Sequence, residues 1–393
     1  MSTGAAGDIQ IADDGRRLVE LTGPDGRKTR LTPHKLIRGY GYRARDRQAP
    51  LTEEDEAIQS LGDTQGWGLQ GWIHIERILI EGQIIALARE TELWTEAENV
   101  AASATFAGRA VVLVEPHPDD GMIGAGALFK ALAENGIRPL SMISVVSDPE
   151  GVLDDYVYAH NHDVVEAGID GHAVDEFKRS YAPREWRALK RAIRMGEAED
   201  AAELMARSLG WGKDFVDLEI DLPLDEMICF ADGRLDSRFS RFRSPSRQDT
   251  ERIRDLVAKQ ARRKPAAETV FLLPSLFDRH QHHQEVARMF LRAIADLAPE
   301  ATIVFYEPLR GFEEQNIRPS IVFGFGGQTQ EWYEMVIEQA YRSQTWRHGY
   351  VKEIRRLAER RASAESSRRR VRLGAYAQRF VTGRLVREVG QRN

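Results

Sequence analysis

His117-Pro118-Asp119-Asp120 puts an imidazole and two adjacent carboxylates on one short turn. The apolar run Val111-Val112-Leu113-Val114 precedes it and a helical pattern follows from Met122. The cluster therefore stands at the end of a buried strand, where open α/β sheets place their chemistry. Histidine and aspartate are ligands for a divalent metal, and a second aspartate beside them offers a base. A second cluster, Asp278-Arg279-His280-Gln281-His282-His283, follows another apolar strand, Thr269–Leu273. His280 and His283 are three residues apart and share one face of a helical turn. His117 and Asp120 from the first strand end and His283 from the second make a His-Asp-His set. Three protein ligands with positions left open suit a catalytic rather than a structural zinc site. Asp119 and His280 remain as acid–base groups. A single strand-end histidine is usually a structural hydrogen-bonder, and histidines in loops are often merely exposed. In a chain with 10 histidines, a His-x-x-Asp and a His-x-x-His at two separate strand ends favour a metal site.

For two strand ends to meet, the strands must run parallel in one sheet. The pattern from residue 109 fits, because apolar strands alternate with helices. Strands are expected at Ala110–Glu115, Pro139–Ser147, Phe215–Ile220, Thr269–Leu273, Thr302–Tyr306 and Ser320–Phe325. Helices are expected at Met122–Asn135, closed by Gly136, at Trp186–Leu209, followed by Gly210, and over 246–263 and 284–297. This is an α/β fold, a Rossmann-like, mainly parallel sheet with helices on both faces. Residues 148–185 read as a long polar connection holding His160, His162 and His172. Three regions result: an extension over 1–108, a catalytic domain over 109–330, and a helical region over 331–393 that packs on it, broken near 363–367. In the extension, 18–21 and 28–31 read as a hairpin around Pro24-Asp25-Gly26, and Trp72 to Ala97 as an amphipathic helix. Its apolar faces suit packing on the main domain or contact between copies in a homo-oligomer.

Composition excludes several classes. The chain has 393 residues and a formal net charge of −6, which leaves no electrostatic footprint for nucleic acid. The arginines of 355–372 are interspersed with Glu359 and Glu365 and read as a solvated helix. Cys229 is the one cysteine, a small buried hydrophobe of a reduced compartment. The first residues lack the basic and apolar stretches of a signal peptide, and no run approaches the ~18 apolar residues of a membrane span. A soluble, cytoplasmic protein is the expectation.

Pro116-His-Pro-Asp-Asp-Gly-Met-Ile-Gly-Ala-Gly126, Asp232-Gly-Arg-Leu235 and His280-Gln-His-His283 together resemble the LmbE-like, or PIG-L, zinc-dependent N-deacetylases. Ala340-Tyr-Arg-Ser-Gln344 and Tyr376-Ala-Gln-Arg-Phe380 are similar to that family's C-terminal pattern. The resemblance covers about 110 to 380 and looks closest to the diacetylchitobiose deacetylase branch. It implies hydrolysis of the acetamide of an N-acetylglucosaminyl-type conjugate, a small-molecule substrate. It implies Zn2+ held by His117, Asp120 and His283, with Fe2+ as another divalent ion the donor set admits. It implies Asp119 as general base and His280 as the group that meets the oxyanion or the leaving amine. Arg194, Asp148 and Asp232 are its implied substrate contacts.

The chain also departs from that pattern. Gly121 stands where many members carry Glu. His282 stands where an Asp commonly orients the preceding histidine, with Asp278 the local replacement for orienting His280. Gly121, Gly124 and Gly126 lack the spacing of a nucleotide loop and read as positions of close packing and access to the metal. No Gly-x-Ser-x-Gly elbow accompanies the cluster, which disfavours an acyl-enzyme. Two further readings remain: a non-catalytic sugar-binding relative, and a non-haem Fe(II) oxygenase using His-Asp-His as its triad.

Overall fold

The computed structural model describes residues 6–11, 17–22, 28–31, 74–80, 83–87, 92–94, 97–138, 140–147, 149–162, 169–210, 216–219, 247–276, 278, 281–308, 319–346, 349–369 and 373–386. Five parallel strands carry the site. They are β7 (Ala110–Glu115), β8 (Leu140–Ser144), β9 (Val216–Glu219), β10 (Thr269–Pro274) and β11 (Thr302–Tyr306). Their order across the sheet is β9-β8-β7-β10-β11, with every neighbouring pair parallel. The order reverses between β7 and β10, so the crevice of this sheet opens at the carboxyl ends of those two strands.

Alternation along each strand builds two cores, one per face. Val112, Val114, Phe271, Leu273, Ile303 and Phe305 pack against α6 (Arg247–Arg263) and α7 (Gln281–Leu297). Val111, Leu113, Val270, Leu272, Val304 and Tyr306 face α2 (Asp120–Glu134), the later half of α5 (Pro183–Ser208) and α8 (Gly327–Ala340), and α1 (Ala97–Ala102) adds Val100 and Ala101 to the same core. Strands buried on both sides are uniformly apolar, which made them readable from the sequence. Gly136 and Gly210 close α2 and α5 in the left-handed conformation, with φ of 74° and 68°.

Several expectations need correction. Trp72–Ala97 is not a helix. It contains β4 (His74–Ile80) and β5 (Gln83–Leu87), paired antiparallel, and β6 (Glu92–Trp94). Ile75, Ile78, Ile80, Ile84 and Ile85 are β-branched and Gly82 falls between the strands, so hairpin chemistry outweighs the helical spacing. The hairpin expected near the N-terminus is present as β2 (Arg17–Thr22) and β3 (Lys28–Leu31), and β1 (Ala6–Ile11) joins it.

The polar connection 148–185 holds two helices, α3 (Asp154–His162) and α4 (Gly171–Arg179). The Asp170 carboxylate accepts from the His172 N–H, so one histidine backbone serves a helix cap. α10 (Tyr350–Arg369) runs unbroken through 363–367, and the interruption falls earlier, around α9 (Arg342–Thr345).

The C-terminal region is helical as expected but then supplies β13 (Tyr376–Val386). This strand pairs antiparallel with β11, with β5 and with β12 (Ile321–Phe325), and so joins the parallel strands to those of the extension. Its polar residues hid it in the sequence. Arg379 is buried against Glu307, and Gln378 accepts from Leu128 N–H and donates to the Ile123 carbonyl. Among the described residues no helix is long and apolar enough to cross a membrane.

Candidate active site

β7 ends at Glu115, and the chain turns tightly as Asp119 N–H and Asp120 N–H both donate to the His117 carbonyl, at 2.8 and 3.2 Å. α2 begins at Asp120 with Asp119 at its N-cap position. The Asp119 carboxylate makes no capping bond and is directed elsewhere. Asp120 lies in the first helical turn, where exposed N–H groups favour an anion. Across the crevice, Asp278 N–H donates to the Ser275 carbonyl just past β10, and His282 and His283 fall in the first turn of α7.

Three side chains converge. His117 Nδ1 is 2.9 Å from Asp120 Oδ2, His283 Nε2 is 3.0 Å from the same oxygen, and the two nitrogens are 3.3 Å apart. All three residues are buried. Ligands about 2.0–2.1 Å from a tetrahedral zinc would be roughly 3.3 Å from one another. This set of two imidazoles and one carboxylate, crowded on one point, fits a divalent ion, and these residues form a group that could hold one.

The other imidazole nitrogens are engaged as metal-binding histidines require. His283 Nδ1 lies 3.1 Å from Asp278 Oδ2, and His117 Nε2 lies 2.6 Å from His282 Nδ1. Asp278 thus stands within ion-pair distance of His283, while His280, for which the sequence had suggested it, lies outside the described residues. Burial opposes charge on both Asp120 and His283. It is outweighed at Asp120 by the imidazoles of His283 and His117, which hold the carboxyl well below its usual range. It is outweighed at His283 by Asp120 and Asp278, which raise the imidazole well above its usual value. A bound cation would take the place of those protons.

Asp119 faces the other way. Arg194 Nη2 donates to its Oδ1 at 2.8 Å and the Tyr350 hydroxyl donates to its Oδ2 at 2.6 Å. Burial raises this carboxyl, and the Arg194 guanidinium only partly opposes the rise. Arg194 is 1% exposed and donates also to Glu197 Oε2 at 3.0 Å. The guanidinium expected to meet substrate thus turns to Asp119 and Glu197.

The turn rests on Glu115, which is fully buried and accepts from Ser144 Oγ at 2.7 Å. Burial pushes its carboxyl up to about 8, with the Ser144 hydroxyl opposing. A Cβ at Gly121 would stand 2.5 Å from Glu115 Cγ, so the missing side chain at 121 is the room that Glu115 occupies. A Cβ at Gly124 would stand 2.2 Å from Tyr306, the close packing expected of that glycine.

His280, Asp148 and Asp232 lie outside the described residues, as does Cys229. Nothing in the sequence marked Tyr350, an aromatic at the start of a charged helix, or His282 as a partner of His117. Ser343 stood inside the stretch Ala340–Gln344 without a role, and Glu197 stood one helical turn beyond Arg194 without one.

No family model matches the chain, and no curated protein matches it. Solved structures do. N,N'-diacetylchitobiose deacetylase from Pyrococcus horikoshii is 16% identical, with 74% of this chain and 87% of that one covered and a TM-score of 0.43. Teicoplanin deacetylase Orf2 is 13% identical, with 72% of this chain and 100% of that one covered and a TM-score of 0.44. The 4-carboxy-2-hydroxymuconate hydratase GalB from Pseudomonas putida is 14% identical, with 72% and 99% covered and a TM-score of 0.42. Hydrolytic and hydrating enzymes both occur in this set, and likeness at this level decides neither reaction nor substrate.

Proposed function

We propose that this protein is a zinc-dependent N-deacetylase that hydrolyses the acetamide of an N-acetylated amino-sugar conjugate, releasing acetate and a free amine. The observation that carries the reading is the division of labour between adjacent carboxylates. Asp120 converges with His117 and His283 on one point, while Asp119 is turned away and held by Arg194 and Tyr350. The motif resemblance to LmbE-like deacetylases, stated on the residues above, supports the same reading and supplies the sugar.

His117, Asp120 and His283 would hold the metal. When bound, a divalent zinc ion polarises the amide carbonyl and acidifies water, which is what an unactivated acetamide demands. Asp119 takes a proton from the attacking water as its oxygen bonds to the acetyl carbon. As the C–N bond breaks, Asp119 returns that proton to the departing amine. Arg194 and the nearby dication favour the ionised form of Asp119 at the start, as a base requires. His280 donates a hydrogen bond to the developing oxyanion, a contribution worth roughly 10²–10³ in rate for such donors. Asp148 and Asp232 contact the sugar.

The test is amine release from a panel of N-acetylglucosaminides, with a chelator and after Zn2+ is restored. Release that a chelator abolishes and Zn2+ restores is the expected result. An intact metal site with no amine release across many acetamides would favour a sugar-binding protein. Iron with 2-oxoglutarate-dependent turnover would favour an oxygenase.

A further inference from the structure

We propose that Ser343 and Tyr350 position Asp119, with Tyr350 holding the carboxylate directly and Ser343 holding it through Glu197 and Arg194. The inference rests on the reading of Asp119 as the proton acceptor, and it assigns a task to two residues remote in sequence from both metal motifs.

Two routes lead from these two residues to one carboxylate. The direct route is the Tyr350 hydroxyl on Oδ2 at 2.6 Å. The indirect route begins at Ser343, whose backbone N–H and side-chain hydroxyl both donate to Glu197, the latter at 2.8 Å. Glu197 in turn accepts from Arg194, and Arg194 donates to Oδ1 of Asp119. Ser343, Glu197, Arg194 and Asp119 are all buried.

The terminal torsion of an aspartate is broad and one donor does not fix it. Donors on both oxygens, anchored on α5 and α10, do fix it. Each oxygen can accept about two hydrogen bonds, so both keep a lone pair for a proton from water. Gly349 has a φ of 100°, a left-handed conformation that side chains disfavour, and it delivers the chain into α10 with Tyr350 as the first helical residue. The turn at Gly349 thus presents this hydroxyl. Tyr350 and Ser343 are positioning residues. Their removal should disturb the aim of Asp119 and leave the His117, Asp120 and His283 donors in place.

The experiment compares the full-length wild type with Tyr350→Phe, Ser343→Ala and the double variant. Three quantities are measured: steady-state deacetylation, affinity for Co2+ alone, and the Asp119 carboxylate orientation in crystals. Losing a hydrogen bond to a charged group should lower kcat by about 10- to 100-fold in Tyr350→Phe. KM should change by less than about twofold, and Co2+ affinity should hold. Ser343→Ala should move the same way by less. The double variant should lose less than the product of the two, because both routes end on one carboxylate. In Tyr350→Phe crystals the carboxylate should be rotated or disordered.

A wild-type kcat in Tyr350→Phe would overturn the proposal. So would an unmoved carboxylate, or a loss of Co2+ affinity that parallels the loss of kcat. If the wild type binds Co2+ yet releases no amine from any acetamide, the deacetylase reading fails instead. The carboxylate orientation in the two crystals then still decides the positioning role.

Discussion

Asp119 and Asp120 are neighbours on one turn and belong to two different regions of the molecule. Asp120 looks into the crevice between β7 and β10, where its partners are His117 and His283. Asp119 looks toward α5 and α10, where its partners are Arg194 and Tyr350. Both are buried, and burial alone would raise both. Two imidazoles drive Asp120 far the other way, whereas one guanidinium leaves Asp119 with its proton affinity raised. A ligand must give up its proton and a base must be able to hold one. What faces two identical side chains thus suits each to a different one of the proposed tasks, which is how paired carboxylates generally divide acid–base work.

The sharpest way to break this comparison is to remove one region at a time. His283→Ala should abolish both metal retention and turnover, because it removes one of three ligands; metal content after dialysis and amine release check it. Asp119→Asn should cost about 10²–10⁴ in kcat, the usual weight of a general base, while metal content stays at the wild-type level. Near-normal activity in Asp119→Asn would sink the base assignment, and loss of metal would merge the two regions into one.

Asp278→Asn weakens the partner of His283 rather than a ligand. It should lower metal affinity about 10- to 100-fold and leave the Asp119 side unaffected, measurable by competition with a chromophoric chelator.

The smallest effect concerns Glu115, beneath both regions. Its folded value of about 8 lies above its ordinary 4.5. Between those values the folded protein holds a proton that the unfolded chain has lost, so stability falls as pH rises through that window. Glu115→Gln should flatten this slope in metal-free protein, seen as a weaker decline of Tm with pH. An unchanged slope would mean that Glu115 is ionised beneath the turn.

Much of the crevice side was legible in the sequence. Strands buried on both faces are written in apolar runs, and a polar cluster ending such a run marks the carboxyl edge of the sheet. His117, Asp120 and His283 could therefore be named before any geometry. The base side was far less legible. Arg194 was visible only as an implied substrate contact and not as a partner of Asp119, because its burial depends on how α5 crosses the turn. Tyr350 carried no signal at all. In the extension, Ile-rich segments around Gly82 fitted a helical spacing, and the pairing of β5 with β13 decided for strands.

The sequence by itself determined which residue types stand at two strand ends and that both strands are buried, because local pattern and periodicity are properties of the chain. Only the tertiary structure decided that these strands flank the reversal in strand order, so that side-chain atoms of His117, Asp120 and His283 meet. Only it decided that Asp119 turns to a guanidinium and a phenol from remote helices, that Asp278 stands within ion-pair distance of His283, and that Glu115 fills the space at Gly121. Those outcomes depend on contacts between segments far apart in the chain, and no local pattern encodes which distant side chain will face a given carboxylate.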